Sequence, residues 1–384
     1  MGISLVILGA FGHVKAQAAD AERQSIIQQI KNGLNDSLNN IGNKPQSQIL
    51  DNLKISGYLE TYYCYDFGNP DNHNRPGFAY SHTRHNEVNL NLGFVKMAYN
   101  TDNIRANLAL MTGTYANANL AAEPGVLGGV FEANAGVKIS KKKNVWVDAG
   151  IFASHIGFES AIGKDCWNLT RSILAENSPY YESGVKVSYT SDDAKWLVSG
   201  LVLNGWQRIQ RIDGNNTPAL GHQLTFKPNS KMTFNSSSFV GSDSPDRTRQ
   251  MRYFHNFYTI FQLDKKFGLT AGFDIGAQQK SKGSTDYNTW YSPVIIAKYT
   301  PSDKISIAAR GEYYSDANGV IIATGTANGF KTFGYSLNLD YNIASNVVWR
   351  IEGRGFSSKD NIFTLENQAS TQNYFVTTAL AISF

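Results

Sequence analysis

The sequence predicts an all-β protein: a transmembrane antiparallel up-and-down β-barrel of about sixteen strands (about 14–18), with a short N-terminal helical segment. Three observations lead there. Strand-like segments are joined by connections that alternate between short and long. The clearest strands alternate apolar and polar residues with period two. The chain ends on such a strand, Tyr374-Phe-Val-Thr-Thr-Ala-Leu-Ala-Ile-Ser-Phe384, with Tyr374, Val376, Leu380, Ile382 and Phe384 on one face. Its length matches the roughly 9–11 residues a tilted strand needs to cross a bilayer.

Composition agrees. Charged residues make up 17% of the chain, aromatics 12%, and there are 34 glycines. Mean hydropathy is −0.31. There is no uncharged apolar run of about eighteen residues, which excludes ordinary transmembrane helices. A barrel conceals its hydrophobicity by alternation, so a mildly negative average suits it. The formal charge of +4 would become +3 on loss of Lys15 and gives no basis for nucleic-acid binding. Cys64 and Cys166 are too few for a disulfide framework, and whether they pair is open.

Residues 1–18 read as a signal peptide. Ile3 to Phe11 form a short apolar core and Ala16-Gln-Ala18 a small-residue cleavage site, although no Lys or Arg precedes the core. Residues 19–50 read as a periplasmic helical lead-in, because Ile26, Ile27, Ile30, Leu34, Leu38 and Ile41 recur on one helical face. That face could associate with copies of itself or be a loose amphipathic lead-in. The barrel is expected over 51–384.

Strands are expected at about 55–66, 85–99, 103–113, 130–139, 145–152, 180–189, 196–204, 218–226, 232–241, 251–263, 269–278, 290–299, 305–314, 330–341, 347–357 and 374–384. The short connections, such as Ser140 to Asn144, Lys227 to Lys231 and Thr300 to Lys304, are polar and turn-forming. In the eleventh strand Leu269, Ala271, Phe273, Ile275 and Ala277 oppose Thr270, Gly272, Asp274, Gly276 and Gln278. In the fourteenth, Phe333, Tyr335, Leu337, Leu339 and Tyr341 oppose Gly334, Ser336, Asn338 and Asp340. One face suits lipid and the other water. Tyr99, Tyr189, Phe226, Tyr299, Tyr341 and Phe384 lie where strands enter the short turns, as an interfacial girdle requires. Two segments fit less well. Phe254 to Phe261 is apolar on both faces. In strand two the outward set Val88, Leu90, Leu92 and Phe94 changes parity before Tyr99, which implies a bulge.

The stretch Gly157-Phe-Glu159, Asn168-Leu-Thr-Arg171-Ser172, Ser178-Pro179 and Gly184-Val-Lys-Val-Ser-Tyr189 resembles the OmpL-like β-barrel porin family of Gram-negative bacteria. So does Arg310-Gly-Glu312-Tyr-Tyr-Ser-Asp316-Ala-Asn-Gly319. The resemblance covers most of the chain after Ile55 and implies an outer-membrane barrel that forms a pore, without naming a solute. The terminal Phe384 likewise resembles the assembly signal of such barrels.

The expected function is a porin: a water-filled channel for passive diffusion of small hydrophilic solutes or ions. About sixteen strands leave an aqueous channel, whereas eight-stranded barrels fill with side chains. The longest connection, about 153–179, is the third on the long-loop side and carries His155, Glu159, Lys164, Asp165, Arg171 and Glu176. It is the candidate constriction loop, with an ordinary surface loop as the plain alternative. Inward parity puts Arg310, Glu312, Asp340, Arg350, Glu352 and Arg354 on three successive strands. This patch is either the lumen wall opposite the constriction or a salt-bridge network that stiffens the barrel. Inward charges elsewhere (Glu60, Glu87, Arg105, Glu132, Lys138, Asp148, Glu182, Lys186 and Asp274) are mixed in sign.

Enzyme readings are weak, and no catalytic residue, metal or cofactor is assigned. His82-x-x-His85 with His73 lacks a thiolate or carboxylate at ligand spacing, and a solvated loop explains it as well. His222 falls on the lipid-facing parity, with no serine and acid evident beside it. Asn168-Leu-Thr170 matches a glycosylation triplet without consequence in a bacterium. A surface or adhesion barrel with an occluded lumen is the main alternative, and a barrel enzyme the least favoured. The implied partners are outer-membrane lipid, the barrel-insertion machinery, the solutes and, left open, two further copies in a homotrimer.

Overall fold

The computed structural model describes residues 50–365 and 368–384, together with the helical positions Ser25, Gln28, Gln29 and Asn32. The segment expected as a signal peptide and most of the one expected as a helical lead-in lie outside the described residues. The chain divides into two units, Met1–Lys54 and Ile55–Phe384, and the second is the barrel.

Its first strands are β1 (Leu53–Asp66), β2 (Val88–Asn100), β3 (Ile104–Thr112), β4 (Val130–Lys138), β5 (Asn144–Ala153) and β6 (Tyr181–Thr190). Then come β7 (Trp196–Leu203), β8 (Ala219–Asn229), β9 (Met232–Gly241), β10 (Arg252–Gln262), β11 (Phe267–Gln279) and β12 (Tyr287–Ser302). The circuit ends with β13 (Ile305–Asp316), β14 (Phe330–Ala344), β15 (Val347–Ser358) and, after a small hairpin, β18 (Gln372–Ser383). That hairpin, β16 (Phe363–Leu365) and β17 (Gln368–Ser370), stands outside the wall and was not expected from the sequence. Two short helices lie in long loops, α1 (Thr114–Asn119) and α2 (Ile173–Glu176).

The sixteen wall strands run in sequence order and close on themselves. Closure is forced by the solvent, because an open edge would leave backbone N–H and C=O groups facing hydrocarbon. β1 pairs antiparallel with β18 from Tyr58↔Ser383 to Asp66↔Phe375. Beyond that ladder Gly57 and Phe384 exchange both backbone hydrogen bonds, at 2.7 and 3.0 Å. The last residue therefore completes the seam. Its ring lies across Gly57, where a Cβ would come within 2.3 Å of the ring.

The alternation separates two surfaces. Leu337 is 61% exposed and its neighbour Asn338 only 1%, so the apolar set of β14 faces out and the polar set faces in. Val95, Leu110, Val187, Val198, Phe273, Ile295 and Leu380 continue the exposed apolar belt. Near the short turns, aromatic rings stack between neighbouring strands, Trp196 on Phe226 at 4.1 Å and Phe267 on Tyr299 at 4.8 Å. Such rings suit a membrane interface, where one edge meets lipid and the other water.

Strand β2 departs from expectation. Leu92 is buried, and Phe94 stacks on Phe131 and approaches Tyr58 inside the barrel. Asn91 also points inward, donating to Glu60. Two successive inward residues require a bulge at Asn91–Leu92, so only Val88 and Leu90 of the anticipated outward set keep that face. The doubly apolar β10 has a simpler reason: Phe254 turns inward and packs on Trp206 of the fourth long loop and on Trp290.

Replacing Phe384 by Ala removes one ring that is 70% exposed, at most about 1.5–3 kcal/mol of burial. Phe384→Ala should lower the amount of protein in the outer membrane far more than the melting temperature of the assembled fraction. Membrane fractionation beside gel-shift melting checks this. Normal membrane levels with sharply reduced melting would make the ring a packing residue instead.

Candidate pore constriction

The third long loop joins β5 to β6 and enters the barrel. Its first anchor is His155, whose Nδ1 lies 3.0 Å from Glu182 Oε2 and whose Nε2 lies 2.8 Å from the Ser238 carbonyl. Both partners are acceptors, so both ring nitrogens carry protons. The Ser237 hydroxyl donates to the His155 carbonyl at 2.7 Å, and the Gly157 amide donates to Asn256 at 3.2 Å. These contacts fix the loop to β9 and β10.

The loop then crosses to the other side of the lumen. At Gly163 a Cβ would sit 2.0 Å from Glu60 Oε2, so the backbone passes β1 closer than any side chain permits. Trp167 receives Lys298 over its ring at 5.6 Å. Next, three amides meet the wall of β14, β15 and β13: Leu169 donates to Asn338 at 3.0 Å, Thr170 to Glu352 at 2.6 Å and Ile173 to Glu312 at 2.6 Å. Ser172 caps α2, accepting from the Ala175 amide, and binds Glu159 through its own amide and hydroxyl.

The wall answers with three arginines. Arg310 donates to the Thr170 carbonyl at 2.7 Å, to its hydroxyl at 2.9 Å and to Glu352 at 2.9 Å, with Glu159 Oε1 at 3.7 Å. Arg350 grips Asp340 in a bidentate pair of 2.6 and 2.9 Å and donates to the Gly163 and Cys166 carbonyls. Arg354 donates to Glu312 at 2.5 Å and to the Arg171 carbonyl at 2.7 Å. Each guanidinium fork therefore serves a wall carboxylate and the loop backbone together, a task its planar set of donors suits. Arg171 itself turns back on the loop, donating to the Ser160, Leu169 and Ala161 carbonyls. Arg171, Arg310, Arg350 and Arg354 balance Glu159, Glu312, Asp340 and Glu352, and all eight are buried.

The sequence left two readings of the six wall residues, a lumen wall opposite the loop or a salt-bridge network, and the six do pair among themselves. The loop lies directly on them. An arginine in a low-dielectric lumen needs compensation, and the loop carbonyls and paired carboxylates supply it. Glu176 extends the network to the first long loop, accepting from the Tyr80 amide at 2.8 Å and the Ser81 amide at 3.3 Å. Burial raises the pKa of both Glu159 and Glu176, while neighbouring donors and arginines oppose the shift. Lys164 and Asp165 stand apart, paired with each other at 2.8 Å and partly exposed.

The first long loop also turns inward. His82, expected in a solvated loop, is fully buried with Nε2 3.0 Å from Glu60. His85 Nδ1 accepts from the Asp66 amide and His73 Nδ1 meets the His85 carbonyl, so the three rings do not converge. No cluster of metal-ligating side chains occurs among the described residues. Cys64 and Cys166 are separate buried thiols. On the outer surface Ser238 does lie beside His222, Oγ to Nδ1 at 2.5 Å, and Ser236 beside His255 at 3.0 Å. This pairing across β8, β9 and β10 was not legible in the sequence. Thr170 was missed as well: read only as part of a glycosylation triplet, it meets Arg310, Arg354 and Glu352 at once.

His155 offers a test of the loop's first anchor. Burial opposes its charge, but Glu182 and the Ser238 carbonyl outweigh that and raise its pKa, with Lys186 acting in the opposite sense. A histidine with a raised folded pKa stabilises fully below its unfolded pKa and loses that contribution as pH rises through the folded value. The melting advantage of wild type over His155→Gln should therefore be largest below about pH 6.5 and shrink in alkali. Gel-shift melting across pH checks it, and an advantage that grows with pH would contradict the charged form.

Comparison with known proteins agrees with this architecture. No curated protein sequence matches the chain. Among solved structures, the barrel is similar to the anion-selective porin from Comamonas acidovorans, with TM-score 0.57, 9% identity, and coverage of 86% of this chain and 99% of that one. It is also similar to the outer-membrane channel DcaP of Acinetobacter baumannii, with TM-score 0.56, 11% identity and coverage of 86% and 97%. OmpT of Vibrio cholerae gives TM-score 0.55, 10% identity and coverage of 86% and 97%. The family model described as "Putative beta-barrel porin-2, OmpL-like" matches residues 52–384, and the chain belongs to this family of outer-membrane porins.

Proposed function

We propose that the third long loop is the constriction that sets what passes through this porin. The observation that carries the reading is the loop's course from His155 on β9 to Thr170 on β15 through the middle of the lumen. A sixteen-stranded barrel without such a loop encloses a wide aqueous channel. With the loop docked, solutes pass only beside it, and its buried charges are engaged by the wall, by the first long loop and by the loop itself rather than offered to ions. The expected channel is narrow and weakly ion-selective.

The same observation gives the occluded-lumen alternative its one argument, since the first loop adds Phe78 against Phe330 and Phe356 inside the barrel. Conduction separates the two readings. We read the chain as a channel and not an enzyme. Among the described residues, His222 has Ser238 as its hydrogen-bond partner and the His255 ring beside it, and neither is a carboxylate. Backbone amides within a paired ladder are already engaged, so an oxyanion at Ser238 would find no ready donors. A homotrimer is compatible with this reading, and the Vibrio OmpT, similar in fold, is described in a trimer form.

Deleting Gly157–Asn177 should raise single-channel conductance in planar bilayers at least about threefold while leaving assembly intact. Unchanged conductance in a correctly folded deletion would assign the loop no role in the path. A milder lesion points the same way. Arg350→Met leaves Asp340 buried without its partner, a change that costs about 3–5 kcal/mol for such pairs. It should give a flickering, larger conductance as the loop detaches, and a steady wild-type trace would contradict the anchoring role.

A further inference from the structure

We propose that the cavity between the third loop and the β2–β4 wall is a binding site for a small uncharged aromatic compound bearing a hydroxyl group. The proposal rests on the reading of this loop as the constriction, because a site there would lie on the solute path. The cavity measures about 380 Å³, within the range of small-molecule sites. Phe94, Phe131, Phe158, Tyr115, Tyr180 and Tyr181 supply its aromatic lining.

The geometry favours a flat ring. Phe94 and Phe131 are stacked with centroids 4.7 Å apart and planes within 9°, so together they present aromatic surface to the cavity. Rings prefer offset-stacked or edge-on neighbours, and both arrangements are open to a guest beside such a pair. The wall charges cancel: Lys96 and Glu132 pair at 2.5 Å and remain partly exposed at the cavity's edge, which leaves it in contact with water. A charged guest would gain little from a neutralised pair and would lose its hydration.

One polar group among the lining residues points to a guest with a hydroxyl group. The Tyr180 hydroxyl is buried and has no hydrogen-bond partner among the described residues. Glu159 directs its carboxylate instead at Ser172 and, at 3.7 Å, at Arg310. A buried polar atom left unpaired costs more than a typical hydrogen bond returns, so a guest that supplies the missing partner is favoured over a purely apolar one. Tyr181, by contrast, is already bonded to Glu123 and acts only as a ring.

The test uses the full-length protein in detergent and 4-hydroxybenzyl alcohol as the probe, titrated calorimetrically against micelles without protein. Wild type should bind it saturably at one site and should bind the charged 4-hydroxybenzoate at least tenfold more weakly. Tyr180→Phe removes one oxygen and keeps the ring, and should weaken the alcohol about threefold to tenfold, the effect of one hydrogen bond. Phe131→Ala should weaken it further, with unheated gel migration confirming that the barrel is closed. Absence of saturable binding to wild type, or equal affinity in Tyr180→Phe and Phe131→Ala, would overturn the proposal. A loop deletion that leaves conductance unchanged overturns the constriction instead, and the calorimetric result on the intact chain stands apart from it.

Discussion

The interior depends on one arrangement: three wall arginines held between wall carboxylates and the carbonyls of a loop. Arg310, Arg350 and Arg354 are carried inward by alternation on β13 and β15, and burial there would be prohibitive for lone charges. Each is compensated twice, by a carboxylate of β13, β14 or β15 and by an acceptor of the loop. Removing a carboxylate would leave its arginine unpaired in a low-dielectric space, whereas removing the loop would open the same arginines to water. Charge-assisted bonds of this kind are stronger than neutral ones and demand specific geometry. The loop's position is thus specified by the wall, and the wall's charges are tolerated because the loop is there.

The exterior follows a different constraint. Hydrocarbon offers the backbone no partner, so every strand must be paired and the circuit must close. The exchange between Gly57 and Phe384 is the last step of that closure. Outward side chains need only be apolar and of moderate size, and the belt accordingly mixes Val, Leu, Ile and Phe without close packing. Against that background the outward pairs His222–Ser238 and His255–Ser236 stand out, because each joins a ring nitrogen to a hydroxyl on the neighbouring strand. Local pairing lowers the cost of polar groups at the lipid face.

Much of the architecture was legible in the chain. The sixteen wall strands appear at the positions where alternation and turn residues put them, β9 at the very bounds expected. The inward parity of Arg310, Glu312, Asp340, Arg350, Glu352 and Arg354 was legible for the same reason. Errors arose where alternation breaks. At Asn91–Leu92 a bulge sends two successive residues inward, and a period-two pattern cannot show where the extra residue lies. The hairpin of β16 and β17 sits in a long connection whose residues carry no clear alternation.

The sequence by itself determined the strand order, the lipid face and the candidate inward charges, because each rests on residues within a few positions of one another. Tertiary structure alone decided what the loop residues do. Thr170 meets Glu352 across 182 residues of chain, and Leu169 meets Asn338 across 169. Arg171 looked like a charge offered to solutes and instead binds its own loop, whereas Thr170 looked incidental and bridges two arginines. Such roles depend on which strands the closed barrel brings beneath the loop, and local pattern carries no information about that distance. The alternation says that a side chain faces inward; only the folded barrel says what it finds there.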